Sequence, residues 1–193
     1  MQEVLGRRQQ RKVQTRAALI DAAYRLFLKK GYASTTMEEI ADAAGVSRRT
    51  AFRYFPNKEE LVFPDHAELV DKFDALLQPR EGETAFETVR RGCLALARNY
   101  VVHREHFVAQ HLIVRDEPAL MGYELRLDRD YEALIMQALG RGRANRRATI
   151  WAGAILGAVR STLREWLEGN GTADLVRMGR DLFAMFEEGI NPS

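Results

Sequence analysis

The sequence predicts an all-α fold: an amino-terminal three-helix domain of helix-turn-helix type over 1–60, then a larger helical domain over 61–193. Three observations predict it. Apolar residues recur at i, i+3, i+4 spacing through nearly the whole chain, and no convincing alternating run marks a strand. Glycines and prolines fall where such helices would end. The stretch 35–61, TTMEEIADAAGVSRRTAFRYFPNKEEL, reads as two short helices at a sharp turn with a third starting directly after.

The first helix is expected over 12–30, where Val13, Ala17, Ile20, Ala23, Tyr24 and Phe27 form an apolar stripe. Gly31 ends it behind Lys29 and Lys30, as a C-terminal glycine after basic residues should. Arg7, Arg8, Arg11 and Lys12 stand at or ahead of its start, either as an arm reaching the minor groove or phosphates or as a solvated tail. Thr36 with Glu39 three residues on fits a capping box that opens the second helix. Small Ala41 permits a close helix crossing, Gly45 supplies the positive φ of a tight turn, and Val46 points inward. Ser47 is the next N-cap, for a helix over 48–54 stopped by Pro56. Asn57 with Glu60 is a second capping box.

With Ala51 and Phe55 facing the core, Arg48, Arg49, Thr50 and Tyr54 are left on the outer face of that short helix. The chemistry suits duplex DNA. Arginine grips guanine O6 and N7 with two parallel hydrogen bonds, and threonine touches a thymine methyl or a phosphate. Tyr54 and Lys58 sit where a phenol and an ammonium could hold backbone phosphates, contacts that fix register without reading sequence. The bland alternative is a solvated basic face; the two caps, the Ala41–Gly45 spacing and the Pro56 stop together weigh against it.

Residues 15–61, TRAALIDAAYRLFLKKGYASTTMEEIADAAGVSRRTAFRYFPNKEEL, resemble the DNA-binding domain of TetR-family transcriptional regulators. The resemblance covers roughly a quarter of the chain. It implies Arg48, Arg49 and Thr50 as base-edge readers and Thr36, Ser47, Tyr54 and Lys58 as phosphate contacts. Phe52 departs from the pattern, since many relatives carry a tyrosine there, so a hydroxyl contact at that position is lost. A finer resemblance, in SRRTAFRYFPNKEELV and VRDEPALMGYELR, is to the branch whose carboxy-terminal domain is described as binding acyl-CoA-like ligands, mycofactocin-associated regulators included. It implies an acyl thioester or related acyl compound as effector.

Charge divides along the same line. Residues 1–60 hold 12 Lys/Arg against 7 Asp/Glu, a net of +5, and residues 61–193 hold 17 against 20, a net of −3. Basic charge thus lies with the reader, as nucleic-acid binding demands, and the acidic remainder argues against a nucleoid-associated structural protein, the first rival. The single cysteine, Cys93, allows no intrachain disulfide and fits a reducing interior. The expected location is the cytoplasm, at the bacterial nucleoid: the first residues lack a signal-peptide apolar region, and the longest apolar run, 150–159, is too short to span a bilayer.

Further helices are expected over 58–77, 84–102, 104–115, 118–139, 146–168 and 172–188, with Thr84 and Glu87 as a capping box and Thr172 capping the last. The final two present Trp151, Ile155, Val159 and Leu163, then Leu182, Met185 and Phe186, apolar over more than one face. Such helices must be covered on more than one side, so they are expected to pair with their copies across a two-fold axis as a homodimer; the resemblance implies the same. Two readers on a two-fold demand a palindromic operator. The middle helices would hold a small-molecule sensor. Its expected walls are Cys93, Leu96 and Tyr100, then Phe107, Gln110 and His111, then Tyr123, Leu127 and Tyr131. The same residues would equally make a plain core. Arg115 is read as pairing with Asp116 or Glu117.

No catalytic residue, metal site or cofactor is expected. His103 and His106 lie at i, i+3 without a third ligand. An acyl hydrolase built on Cys93 with either histidine, the second rival, lacks an acidic partner at a telling spacing and an oxyanion loop. The sequence thus points to a regulator that occupies its operator and leaves when ligand binds, with activation as the open alternative.

Overall fold

The computed structural model describes residues 6–143 and 145–189. Ten helices, and no strand among the described residues, divide into two compact units. The first runs to Asp65 and takes in Ala109–Tyr123; the second holds His66–Val108 and the rest from Glu124.

In the first unit, α1 (Arg7–Lys30) is followed by α2 (Met37–Ala43), α3 (Arg48–Tyr54) and α4 (Lys58–Val62). Alanines make the crossings close: Ala22, Ala23, Ala41 and Ala51 are buried beside Leu19, Phe27, Ile40 and Phe55. Local chemistry fixes each end. Gly31 closes α1 at φ 87, its N–H bonding the Phe27 carbonyl. The Thr36–Glu39 capping box forms in both directions. Gly45 turns the chain at φ 68. Asn57 caps α4 by accepting from the Glu60 N–H; the reciprocal half of the expected box is replaced by a bond from the Asn57 amide to the Glu60 carboxylate. The Val62 carbonyl, left open by the end of α4, accepts from the Tyr24 hydroxyl at 2.8 Å and the Gln110 amide at 2.6 Å. Arg16 donates to the Pro64 carbonyl and pairs with Asp65 at 3.4 Å, tying this stretch to α1.

The expected single helix over 58–77 is two. Pro64 has no N–H to continue α4 and disfavours helical backbone at Phe63, which sits at φ −114, ψ 54. The chain restarts as α5 (His66–Leu76) in the second unit. The first helix also begins earlier than expected, at Arg7, so the basic residues ahead of Val13 are helical.

The remaining elements are α6 (Ala85–Val102), α7 (Arg104–Val114), α8 (Pro118–Gly140), α9 (Arg146–Glu168) and α10 (Leu175–Glu188). In the second unit α10 packs on α6 and α9, and α5 on α6. Phe73, Leu77, Val89, Ile135, Ala152, Ile155 and Phe183 form the core. Gly92 makes a close approach there: a Cβ would come within 2.8 Å of the Leu77 Cδ2 methyl and force it to shift. Arg91 holds the α5–α6 corner, donating to the carbonyls of Leu76 and Gln78 and to Glu83. Trp166 is buried with its indole N–H on the Ala173 carbonyl at 2.9 Å. The cap of α10 is Asp174, which accepts from the Arg177 N–H; Thr172, the expected cap, instead donates to Gly169 within the preceding turn. Asn170 and Gly171 are left-handed in that turn, and α10 begins at Leu175, three residues past the expected start.

Candidate nucleic-acid interface and effector cavity

The turn between α2 and α3 presents the start of α3 outward. Ser47 caps it, accepting from the Thr50 N–H at 3.2 Å, and the two hydroxyls share a bond of 2.9 Å. Ala51 and Phe55 are buried, so the helix can show solvent only its other face, where Arg48, Arg49, Phe52 and Arg53 are exposed and Thr50 and Tyr54 half-buried. Arg48 is held on both sides: its guanidinium pairs with Glu38 of α2 at 2.7 Å and lies 5.5 Å from the centre of the exposed Phe52 ring. Phe52 therefore supports an arginine where a tyrosine would have offered a hydroxyl.

Two of the sequence-derived phosphate contacts carry local structure as well. Thr36 is exposed but belongs to the capping box. The Lys58 ammonium donates to the carbonyls of Tyr32 and Thr35 at 2.9 and 2.8 Å and lies 4.2 Å from the Tyr32 ring centre. Two of its three protons are thus committed to the loop after α1. Beside α3, a groove missed in the sequence is lined by Arg8, Gln9, Arg11, Lys12, Thr15, Arg53 and Tyr54. Its signal was present as the basic run at 7–12, but the groove exists only because α1 starts at Arg7.

The second unit holds a partly open cavity of about 100 Å³. Of the residues expected as sensor walls, Cys93, Leu96, Tyr100 and Tyr131 line it, together with Phe73, Ile135 and Leu156. Phe107, Gln110, His111, Tyr123 and Leu127 do not. Phe107 stacks on Tyr100 at 3.9 Å, while Gln110, His111 and Tyr123 belong to the first unit, where Tyr123 stacks on Phe63 at 5.5 Å. The walls are apolar apart from a few groups, chiefly the phenols and an ion pair missed in the sequence, Asp128 of α8 with Arg160 of α9 at 2.5 Å. Burial raises the Asp128 carboxyl above the usual range, against the opposing pull of Arg160 and His66, and raises neighbouring Glu124 in the same way. Burial also pushes the Cys93 thiol up to about 12, the direction expected of an inert buried thiol. Among the described residues no three His, Cys, Asp or Glu side chains converge on a metal site. Arg115 pairs with Asp116 at 3.2 Å, the structural role expected of it.

Of the residues expected to pair with a second copy, Trp151 is 39% exposed and Met185 64%. Ile155 is buried within its own unit, Val159, Leu163 and Leu182 line the cavity, and Phe186 packs on the core. Ile150, 59% exposed, joins Trp151, Ala154 and Gly157 on the open face of α9. No helix among the described residues is long and apolar enough to cross a membrane.

Residues 19–63 match the bacterial regulatory proteins of the tetR family. The transcriptional regulator TcmR of Streptomyces glaucescens is 43% identical over 75 residues, 39% of this chain and 33% of TcmR. MftR of Mycobacterium tuberculosis, named as a regulator of mycofactocin biosynthesis, is 22% identical over 156 residues, 76% of this chain and 77% of MftR. The match to TcmR thus spans about a third of that relative's length. The fold is that of the fatty acid degradation regulator FadR from Bacillus halodurans, with a TM-score of 0.69 at 19% identity over 93% of this chain and 97% of the other. FadR from Bacillus subtilis in complex with stearoyl-CoA gives 0.66 at 20% identity, covering 91% and 99%.

Proposed function

We propose that the protein is a ligand-responsive transcriptional repressor that binds a palindromic operator as a homodimer and is released by a small-molecule effector. The observation that carries this reading is the start of α3, where Arg48, Arg49 and Thr50 stand on the outer face of a short helix anchored by the buried Ala51 and Phe55. In this reading they reach base edges in the major groove. Thr36, Ser47 and Tyr54 meet backbone phosphates, Lys58 with its remaining proton beside them. The apolar patch of Ile150, Trp151 and Met185 supports pairing of two copies, which would set the two readers ~34–36 Å apart. The work is done in the cytoplasm, on the chromosome.

The effector proposed is lipophilic and acyl-CoA-like. The apolar cavity supports it, as do the likeness to MftR and to the FadR solved with stearoyl-CoA. At about 100 Å³ the cavity is smaller than ligand sites of ~300 Å³ and above. An effector must therefore widen it, and a ligand that prefers the widened form shifts the population towards it. That is the means of release.

Selection of bound sites from randomised duplexes tests the reading: an inverted repeat is expected, and recovery of bulk sequence without symmetry would overturn it. Light scattering at micromolar protein should give twice the 22.0 kDa chain mass. Titration of the operator complex with acyl-CoAs of increasing chain length should release DNA; indifference to all of them would remove the acyl assignment and leave the repressor.

A further inference from the structure

The first two turns of α1 break a rule. Arg7, Arg8, Arg11 and Lys12 sit at a helix amino terminus, the positive end of its dipole, where acidic residues are favoured and cations destabilise. The first turn holds no acidic residue, and none occurs from Arg7 to Ile20. Among the described residues Arg8, Arg11 and Lys12 form no ion pair that would explain them. Nor does packing: residues 6–14 are all exposed, and the first buried side chain of the helix is Leu19. A sequence that accepts such a cost without a compensating contact within its own fold marks a place where another molecule supplies it.

The groove shows which kind of molecule. Arg8, Arg11, Lys12 and Thr15 follow i, i+3, i+4, i+7 spacing and form one wall; Arg53 and Tyr54, at the end of α3, form the other. No carboxylate lines it. From Arg8 to Lys12 the helix rises ~6 Å, about twice the ~3.4 Å axial spacing of phosphates along one DNA strand. A row of cations on that scale fits a run of phosphodiesters rather than a single phosphate. We infer that the Arg8–Arg11–Lys12 wall and Arg53 form a second DNA-backbone clamp that follows one strand of the duplex while the start of α3 reads its bases. The inference rests on the proposed reading of DNA by α3. It also meets a shortfall in that reading, because Lys58 has two of its three protons on carbonyls. The clamp supplies sequence-independent affinity, leaving discrimination to Arg48, Arg49 and Thr50.

The test combines Arg8→Ala, Arg11→Ala and Lys12→Ala in the full chain, with Arg53→Gln as a separate variant from the opposite wall. Helix content and melting temperature should equal or exceed those of the parent, since the triple variant removes cations from the positive end of the helix dipole. Binding to the selected operator and to random duplex should fall by the same factor, about tenfold or more at physiological salt. The plot of log affinity against log salt should become shallower by up to ~2.7 for the triple variant and ~0.9 for Arg53→Gln, per protomer. The site recovered from randomised DNA should be unchanged. Inorganic phosphate at matched ionic strength should compete no better than chloride; stronger competition would reassign the groove to a lone phosphate. An unchanged salt slope in both variants would overturn the clamp while leaving operator recognition intact. Absence of any operator preference in the parent would instead overturn the reading on which it rests.

Discussion

The two units handle their interiors differently. The reader closes on a solid core in which alanines bring helices together, and the amino ends of α2, α3 and α4 are each capped by a side chain. The second unit leaves a space among α5, α6, α8, α9 and α10 and sets a charged pair on its wall. The acids of the capping box and of the cavity wall differ accordingly. Glu39 in the reader is held at about 2 by Lys30 and the Thr36 backbone, whereas burial raises Asp128 and Glu124 at the cavity. One region is built to keep its shape against DNA. The other sets carboxyls whose pKa burial raises beside an open space.

The largest break in that contrast would come from truncating buried side chains. Ile40→Ala removes a fully buried group from the solid core and should cost ~2–5 kcal/mol, abolishing DNA binding at ordinary temperatures. Leu156→Ala, on a wall that already faces empty space, should cost less, because fewer contacts surround the deleted atoms. Urea denaturation of both variants would decide; equal losses would mean that the cavity wall is as tightly packed as the reader. Next comes filling the space. Ala97→Phe, also on the wall, should leave operator affinity near the parent value and weaken effector-driven release by at least tenfold, about 1.4 kcal/mol. A gel shift with and without effector reads both quantities, and normal release from a filled cavity would place the effector elsewhere.

Lys58→Ala sharpens the boundary between shape and recognition. The ammonium satisfies the Tyr32 and Thr35 carbonyls, so its loss should cost ~1–3 kcal/mol of stability. It should also weaken all DNA sequences alike. Weaker binding with unchanged thermal stability would make Lys58 a pure phosphate contact.

How far each region was legible follows from the range of the interactions that build it. The capping box at Thr36, the Gly45 turn, the Ser47 cap and the inward pair Ala51 and Phe55 are decided within four residues, and all of them form as read. Pro64 was equally local; the long apolar pattern of 58–77 masked it, and its missing N–H divides the helix. The cavity depends on which helices meet. Cys93, Leu96, Tyr100 and Tyr131 reach it, but Gln110 has the same helical periodicity and is spent on the Val62 carbonyl. Periodicity gives a residue's face, not the partner of that face. Asp128 and Arg160 lie 32 positions apart on different helices, and nothing local joins them. The α9 stripe suffered the same ambiguity: Trp151 is open, whereas Ile155, one turn on, is consumed by its own core.

The smallest effect concerns acid, and its sign separates the Thr36–Glu39 capping box from the cavity wall. Glu39 is ionised far more readily in the folded chain, about 2 against an ordinary 4.5, so its contribution is fully present above 4.5 and is lost as pH falls towards 2. Asp128 is raised, so the folded chain resists its ionisation; the resulting penalty is present near neutrality and is relieved as pH falls through its raised value towards that of an unfolded aspartate. Glu39→Gln should therefore lower stability at pH 7, with the deficit shrinking on acidification. Asp128→Asn should do the reverse, gaining slightly at pH 7 and converging with the parent in acid, because burial outweighs the attraction of Arg160. Urea midpoints for the two variants at pH 7, 5 and 3 make the comparison. A loss at pH 7 for Asp128→Asn as large as that for Glu39→Gln would show that the Arg160 pair stabilises the fold, and the cavity would then be as settled a structure as the reader.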